Sequence, residues 1–202
     1  MIHIVDYGAG NLFSVKNALD YLQVESKITA DPAELKDADG IILPGVGAFR
    51  DCMTMLNESG FTAELKAQAE AGKPLLGICL GMQMLFEKGY EFGETDGLGL
   101  IPGCVQLIDG GGLKIPHMGW NDLTVLHECA LSENVHDGDY VYYVHSYRAE
   151  TSEDYISCYT MYNEKIPGLV FYKNVYGAQF HPEKSGQVGM QILKNFAKLV
   201  TE

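Results

Sequence analysis

The sequence predicts an α/β fold with a mostly parallel central sheet and helices on both faces. Three observations predict it. Residues 2–5, 40–43 and 75–78 are short, nearly continuous apolar runs, as expected of strands buried on both sides. Residues 13–22, 48–57 and 61–71 lie between them and carry apolar positions at helical spacing. Strand alternating with helix is the pattern of βα units, which build parallel sheets. The chain has 202 residues and is 47% hydrophobic, which fits one domain, residues 1–202, around a single large core.

Taken in order, Ile2-His3-Ile4-Val5 opens as a buried strand and enters Asp6-Tyr7-Gly8-Ala9-Gly10-Asn11. Gly8-x-Gly10 would begin a dinucleotide fingerprint, but the third glycine falls on Phe13, so a tight strand-to-helix turn is the better reading. Residues 13–22 then form a helix with Val15, Ala18, Leu19 and Leu22 on one face, and 24–29 a second strand. The apolar strand 40–43 ends in Pro44-Gly45-Val46-Gly47. After two helices, Gly72-Lys73-Pro74 marks a turn before the strand 75–78. Beyond Gly81, Met82, Met84, Leu85 and Phe86 alternate with polar Gln83 and Glu87 and fit a helix. Tyr90-Glu91-Phe92-Gly93 is a turn. Residues 98–134 hold short apolar segments broken by Gly110-Gly111-Gly112, which predict antiparallel hairpins added to the main sheet. Residues 140–147 form an aromatic strand, 168–172 and 174–180 a hairpin, and 187–200 an amphipathic final helix.

The chemistry gathers at Gly77-Ile78-Cys79-Leu80-Gly81, a cysteine at a strand-to-helix switch with a glycine two residues to either side. That is the thiol form of a nucleophile elbow: the turn strains its central residue, and the glycines remove Cβ clashes. A helix starting behind Cys79 favours the thiolate, the attacking form. An isolated cysteine at a strand end is more often a small core residue. The balance shifts with Gln179-Phe180-His181-Pro182-Glu183 far downstream, because a catalytic cysteine needs a base and the base an orienting group. His181 precedes a proline and is therefore extended, so Glu183, two residues on, projects to the same side. A metal site at Cys79, His181 and Glu183 is the weaker reading, with one soft ligand and an elbow that needs a free thiolate.

Composition narrows the classes. The net charge of −13 argues against nucleic-acid and anionic-membrane partners. It also argues against reading the tyrosines of 140–147 as a stacking platform for single strands. Five cysteines without regular spacing, no apolar stretch of membrane length and no charged start before an apolar run predict a reduced, cytoplasmic protein without a signal peptide.

Gly77-Ile78-Cys79-Leu80-Gly81-Met82-Gln83 with Gln179-Phe180-His181-Pro182-Glu183 resembles the class I (triad) glutamine amidotransferases. Three further segments narrow the resemblance to the glutaminase subunits of imidazole glycerol phosphate synthases: Pro44-Gly45-Val46-Gly47-Ala48-Phe49, Pro116-His117-Met118-Gly119-Trp120-Asn121 and Tyr143-Val144-His145-Ser146-Tyr147. The resemblance runs from Asp6 to the final helix. It implies a flavodoxin-like sheet with added antiparallel strands, no cofactor and no metal. It implies a Cys79–His181–Glu183 triad that hydrolyses glutamine through a thioester. The oxyanion hole would use backbone N–H groups of Leu80 and of Val46 or Gly47, with Gly45, Gln83, Glu91, Ser146 and Tyr147 around the amino acid and His145 structural. Ammonia would pass to a cyclase subunit in a heterodimer, which forms imidazole glycerol phosphate and the aminoimidazole carboxamide ribotide by-product of histidine biosynthesis. Asn11, Met118, Trp120, Tyr142 and Lys184 would face that partner. Many relatives have two glycines where this chain has Gly45-Val46, and a β-branched Val46 resists positive φ, so the loop is expected to rest with the hole incomplete. The alternatives are a stand-alone glutamyl hydrolase, an amidotransferase with another acceptor, or a non-catalytic scaffold; the last predicts loss of a triad residue, and all three are present.

Overall fold

The computed structural model describes residues 1–201. In chain order the elements are β1 (Ile2–Val5), α1 (Leu12–Tyr21), β2 (Ser26–Thr29), β3 (Gly40–Gly45), α2 (Phe49–Glu58), α3 (Phe61–Glu70), β4 (Leu75–Cys79) and α4 (Leu80–Met84). They continue with β5 (Phe86–Gly89), β6 (Thr95–Asp96), β7 (Ile101–Leu107), β8 (His117–Asp122), β9 (Thr124–Val125), β10 (Tyr140–His145) and β11 (Tyr147–Glu150). The chain closes with β12 (Ile156–Tyr162), β13 (Glu164–Tyr172), β14 (Val175–Ala178) and α5 (Gly186–Thr201).

The main sheet has eight strands in the order β2-β1-β3-β4-β14-β13-β12-β9. From β2 to β14 every neighbour is parallel; β13, β12 and β9 continue it antiparallel. The apolar runs serve both faces. Leu43 and Leu75 pack with Phe49, Leu56, Phe61 and Leu65 on one side, while Ile4, Ile42 and Leu76 pack with Val15, Leu19, Ile192 and Phe196 on the other. Each such fully buried side chain contributes about 1.5–3 kcal/mol of hydrophobic stabilisation. Among the described residues no helix is long and apolar enough to cross a membrane.

Pro44 sits inside β3 although it has no N–H to give. Ile41 donates to Pro74 O of the β4 side at 2.9 Å, so Ile41, Leu43 and Gly45 direct their polar groups at β4, and Pro44 faces the β1 side, where pairing stops at Ile4 with Ile42.

Three expectations need correction. The helix after the elbow stops at Met84, and Phe86 begins a strand. The carbonyls that would continue it are taken by the returning chain: Leu98 N donates to Met84 O, and Leu100 N and Ile101 N to Leu85 O. The hairpins of 98–134 do not extend the main sheet, apart from β9. Instead β7 joins a four-stranded sheet ordered β11-β7-β5-β6, and β8 pairs with β10 in a separate two-stranded ribbon. The aromatic strand is not continuous: it breaks at Ser146, with β10 paired to β8 before the break and β11 to β7 after it.

Candidate active site

The elbow forms at the end of β4. Cys79 has φ 55° and ψ −113°, a strained conformation for a non-glycine residue. The chain tolerates it because nothing obstructs the backbones around it. A Cβ on Gly77 would lie 2.6 Å from Gly81 O, and one on Gly81 would lie 1.9 Å from Leu43 O. Cys79 is 6% exposed and forms the floor of a cleft of about 270 Å3. That is below the roughly 300–1,000 Å3 of pockets for drug-sized ligands and suits a molecule the size of an amino acid. Behind Cys79, α4 is only five residues long, so the helix contributes little charge stabilisation to the sulfur.

Parallel pairing of β14 with β4 brings His181 there. Gly77 pairs with Gly177 and Ile78 with Ala178, and His181 follows three residues beyond. Its backbone is fixed from both sides: His181 N donates to Tyr142 O at 3.0 Å, and Ser185 Oγ donates to His181 O at 2.7 Å. Its Nδ1 meets Glu183 Oε1 at 2.8 Å. The segment after His181 is a single helical turn, Pro182–Lys184, rather than extended chain as expected; Pro182 starts that turn, and the two side chains still meet. Both are enclosed, with side-chain exposures of 4% and 1%. Burial opposes a charge on His181, but hydrogen bonds to Cys79 and Glu183, reinforced by their negative charge, outweigh it and lift its pKa to about 9. With Nδ1 given to Glu183, Nε2 is the nitrogen left for Cys79.

Val46, Gly47, Leu80, Gln83, Glu91, Ser146 and Tyr147 all line the same cleft. Gly45, expected to contact the amino acid, is buried and does not line the cleft; a Cβ on it would come 2.6 Å from Gly81 N. The pairing of Gly45 with Cys79, in the alternation set by Ile41, directs the Gly45 carbonyl at the start of α4 and turns the Val46 N–H away from it. Val46 keeps a negative φ while Gly47 takes φ 107°, and Cys52 Sγ donates to Val46 O at 3.2 Å. Gln83 is turned inward: its Nε2 donates to Tyr147 O at 2.9 Å and to Gln179 Oε1 at 3.0 Å, leaving only its oxygen for a bound molecule. Glu91 Oε2 accepts from Phe49 N at 2.7 Å, which ties the 90–93 turn to the start of α2 and presents a carboxylate to the cleft.

Two contributors escaped sequence reasoning. Val144 O lies 4.0 Å from Cys79 Sγ, and Gln179 Nε2 lies at the same distance within the core. Gln179 belongs to the segment that delivers His181, which was the available signal; a backbone carbonyl such as that of Val144 leaves none.

Of the residues expected at a partner surface, Met118, Trp120 and Lys184 are exposed and Asn11 and Tyr142 are half-buried. On the ribbon, Met118 and Trp120 are 61% and 55% exposed, and Trp120 meets Tyr142 edge-on across the strand pair. The Pro182–Lys184 turn, with Lys184 exposed, packs against α1, which follows Asn11, and against β10, the strand of Tyr142.

Comparison with known proteins gives consistent matches. The family model described as glutamine amidotransferase class-I matches residues 3–200. The chain is 49% identical over 201 residues to the imidazole glycerol phosphate synthase subunit HisH of Listeria monocytogenes serotype 4b (strain CLIP80459), covering 99% of this chain and 96% of the relative. It is 50% identical over 206 residues to the subunit of the same name from Geobacillus sp. (strain WCH70), covering 99% and 97%. Among solved structures, PurLQS from Thermotoga maritima superposes with a TM-score of 0.77 at 22% identity, over 98% of this chain and 97% of the other, a likeness of fold alone.

Proposed function

Because this chain belongs to the class-I glutamine amidotransferases, and within them to the family of imidazole glycerol phosphate synthase subunit HisH, we propose that it hydrolyses glutamine at Cys79 and delivers the ammonia to a cyclase subunit in histidine biosynthesis. The observation that carries the assignment to Cys79 is the buried His181–Glu183 pair beside a strained cysteine in a cleft of amino-acid size.

In this mechanism His181 takes the proton of Cys79, and the thiolate attacks the side-chain amide carbon of glutamine. A C–S bond forms and the carbonyl electrons move onto oxygen. Imidazolium His181, charged at neutral pH, gives its proton to the departing nitrogen. The C–N bond breaks, ammonia leaves and a thioester remains. Neutral His181 then takes a proton from water, which attacks the thioester; the C–S bond breaks and glutamate leaves. Glu183 holds the imidazole ring and balances its charge. Leu80 N–H and a donor from the Val46 and Gly47 loop stabilise the oxyanion once the Gly45 carbonyl has turned away. Glu91 receives the substrate ammonium, and the backbone of Ser146 and Tyr147 its carboxylate end. Asn11, Met118, Trp120, Tyr142 and Lys184 form the docking face for the cyclase, and the heterodimer works in the cytoplasm.

Cys79→Ala tests this. The variant is expected to lose glutamine-dependent synthesis with the cyclase partner and to keep ammonia-dependent synthesis, since free ammonia bypasses this subunit. Retention of glutamine-dependent turnover would remove Cys79 as the nucleophile.

A further inference from the structure

His117 and His145 take no part in the proposed chemistry, yet their hydrogen bonds end in the cleft wall. A carbonyl only accepts, so the 2.8 Å contact between His145 Nδ1 and Tyr147 O puts the ring proton on Nδ1. Burial keeps His145 neutral, with its pKa lowered to about 3, against the opposing pull of that carbonyl. Its Nε2 is therefore a lone pair, and it accepts from His117 Nδ1 at 3.0 Å. Burial also lowers His117 to about 4, so its own Nε2 is a lone pair as well, facing Asn121 Nδ2 at 3.3 Å. The Asn121 amide also donates to Met161 O at 3.2 Å. Every proton is thereby assigned, and the bonds run one way: Asn121 to His117 to His145 to Tyr147.

The end of this relay is the carbonyl that Gln83 Nε2 also reaches, at 2.9 Å. Two buried donors from separate elements converge on one acceptor in the cleft. They do so where regular pairing fails. At Ser146 the chain leaves β8 for β7, and the Ser146 carbonyl is taken by Ile108 N at 2.9 Å. The bond from His145 to Tyr147 closes this two-residue crossing. Val144 O, 4.0 Å from Cys79 Sγ, is on the same stretch.

We propose that His145, with its tautomer set by His117, is a positioning residue for the glutamine site: it holds residues 144–147 at the spacing that lets Ser146 and Tyr147 receive the amino acid beside Cys79. This rests on the reading of the cleft as the glutamine site.

Steady-state glutamine hydrolysis in the presence of the cyclase partner and its ligand tests the proposal. Losing a buried hydrogen bond of this kind corresponds to about a tenfold change in binding. His145→Ala is expected to raise KM for glutamine about tenfold, with kcat changed far less. His145→Asn keeps a donor near the position of Nδ1 and is expected to recover most of that loss. His117→Phe keeps the ring stacked on Tyr143 and Tyr162, whose centroids lie 4.7 Å and 4.1 Å away, but removes the donor that fixes the tautomer. It is expected to raise KM severalfold, less than His145→Ala. An unchanged KM in His145→Ala, or an equal rise in His145→Ala and His145→Asn, overturns the proposal. If His145→Ala does not fold, His117→Phe decides it: a raised KM at constant kcat supports the positioning role, and an unchanged KM refutes it. Wild-type protein assayed alongside separates the two layers, because absence of glutamine turnover there defeats the glutamine reading itself.

Discussion

At the scale of single residues, His181 and Glu183 differ in what their loss removes. His181→Ala takes away the proton donor to the leaving nitrogen and is expected to reduce glutamine hydrolysis nearly as far as Cys79→Ala. Glu183→Gln still orients the ring through Nδ1 but no longer balances its charge, so it is expected to lose less, as measured by kcat in the same assay. Val46 bears on the loop instead. Its N–H points away from the start of α4, and a missing oxyanion donor costs on the order of 10²–10³ in rate. The subunit alone is therefore expected to be a poor glutaminase. Val46→Gly, which eases positive φ, should raise the partner-free rate and shrink the stimulation by the cyclase and its ligand; equal rates with and without the substitution would clear the loop of that role. The cysteine, the histidine and the carboxylate were legible in the sequence because their chemistry constrains their neighbours: glycines around Cys79, a proline after His181. The inward turn of Gln83 was not legible, since its partners Tyr147 O and Gln179 Oε1 come from strands that local spacing does not place.

At the scale of elements, the crossing of β3, β4 and α4 holds the site together. Gly45, Gly77 and Gly81 let three backbones touch, and a Cβ on Gly81 would fall 1.9 Å from Leu43 O, far inside van der Waals contact. Gly81→Ala must push α4 off β3. It is expected to destabilise the protein by about 1–3 kcal/mol or more, read as a lower urea midpoint, and to abolish activity even in molecules that fold. Strands β1, β3 and β4 and helices α1 to α3 were legible, because fully buried strands and one-sided helices leave different periodicities. The small sheets were not. Their pairings, such as Leu107 with Tyr147 and Trp120 with Tyr142, join segments distant along the chain, and the local pattern of 98–134 states that strands exist without naming their partners. The short α4 has the same cause: Met84 and Leu85 lose their helical carbonyls to residues 98–101.

For the whole molecule, buried histidines shape stability against pH from both sides. His181, raised to about 9 from its ordinary 6.5, stabilises the fold fully below 6.5, and that contribution is lost as pH climbs from 6.5 through 9. His117 and His145, lowered to about 4 and 3, must take up protons on unfolding below 6.5, so their contribution is present above 6.5 and is lost as pH falls toward 3. Urea midpoints measured across this range are expected to peak near pH 6.5. In His181→Ala the alkaline decline should flatten, and in His117→Phe the acid decline should become shallower.

At Ser146 the chain passes from the two-stranded ribbon to the four-stranded sheet. One end of the ribbon runs straight into β9 at the edge of the main sheet, and the other stops beside the sulfur of Cys79. Met118 and Trp120 lie along its outer surface, where a docked protein would press. Any displacement of β10 under a partner gripping Trp120 would carry Val144 O with it, and so change the spacing over Cys79 Sγ. Trp120→Ala should then leave the grip loose: in the complex, amide hydrogen exchange in β8 and β10 is expected to stay at the free-subunit rate, and glutamine turnover to stay near its partner-free level.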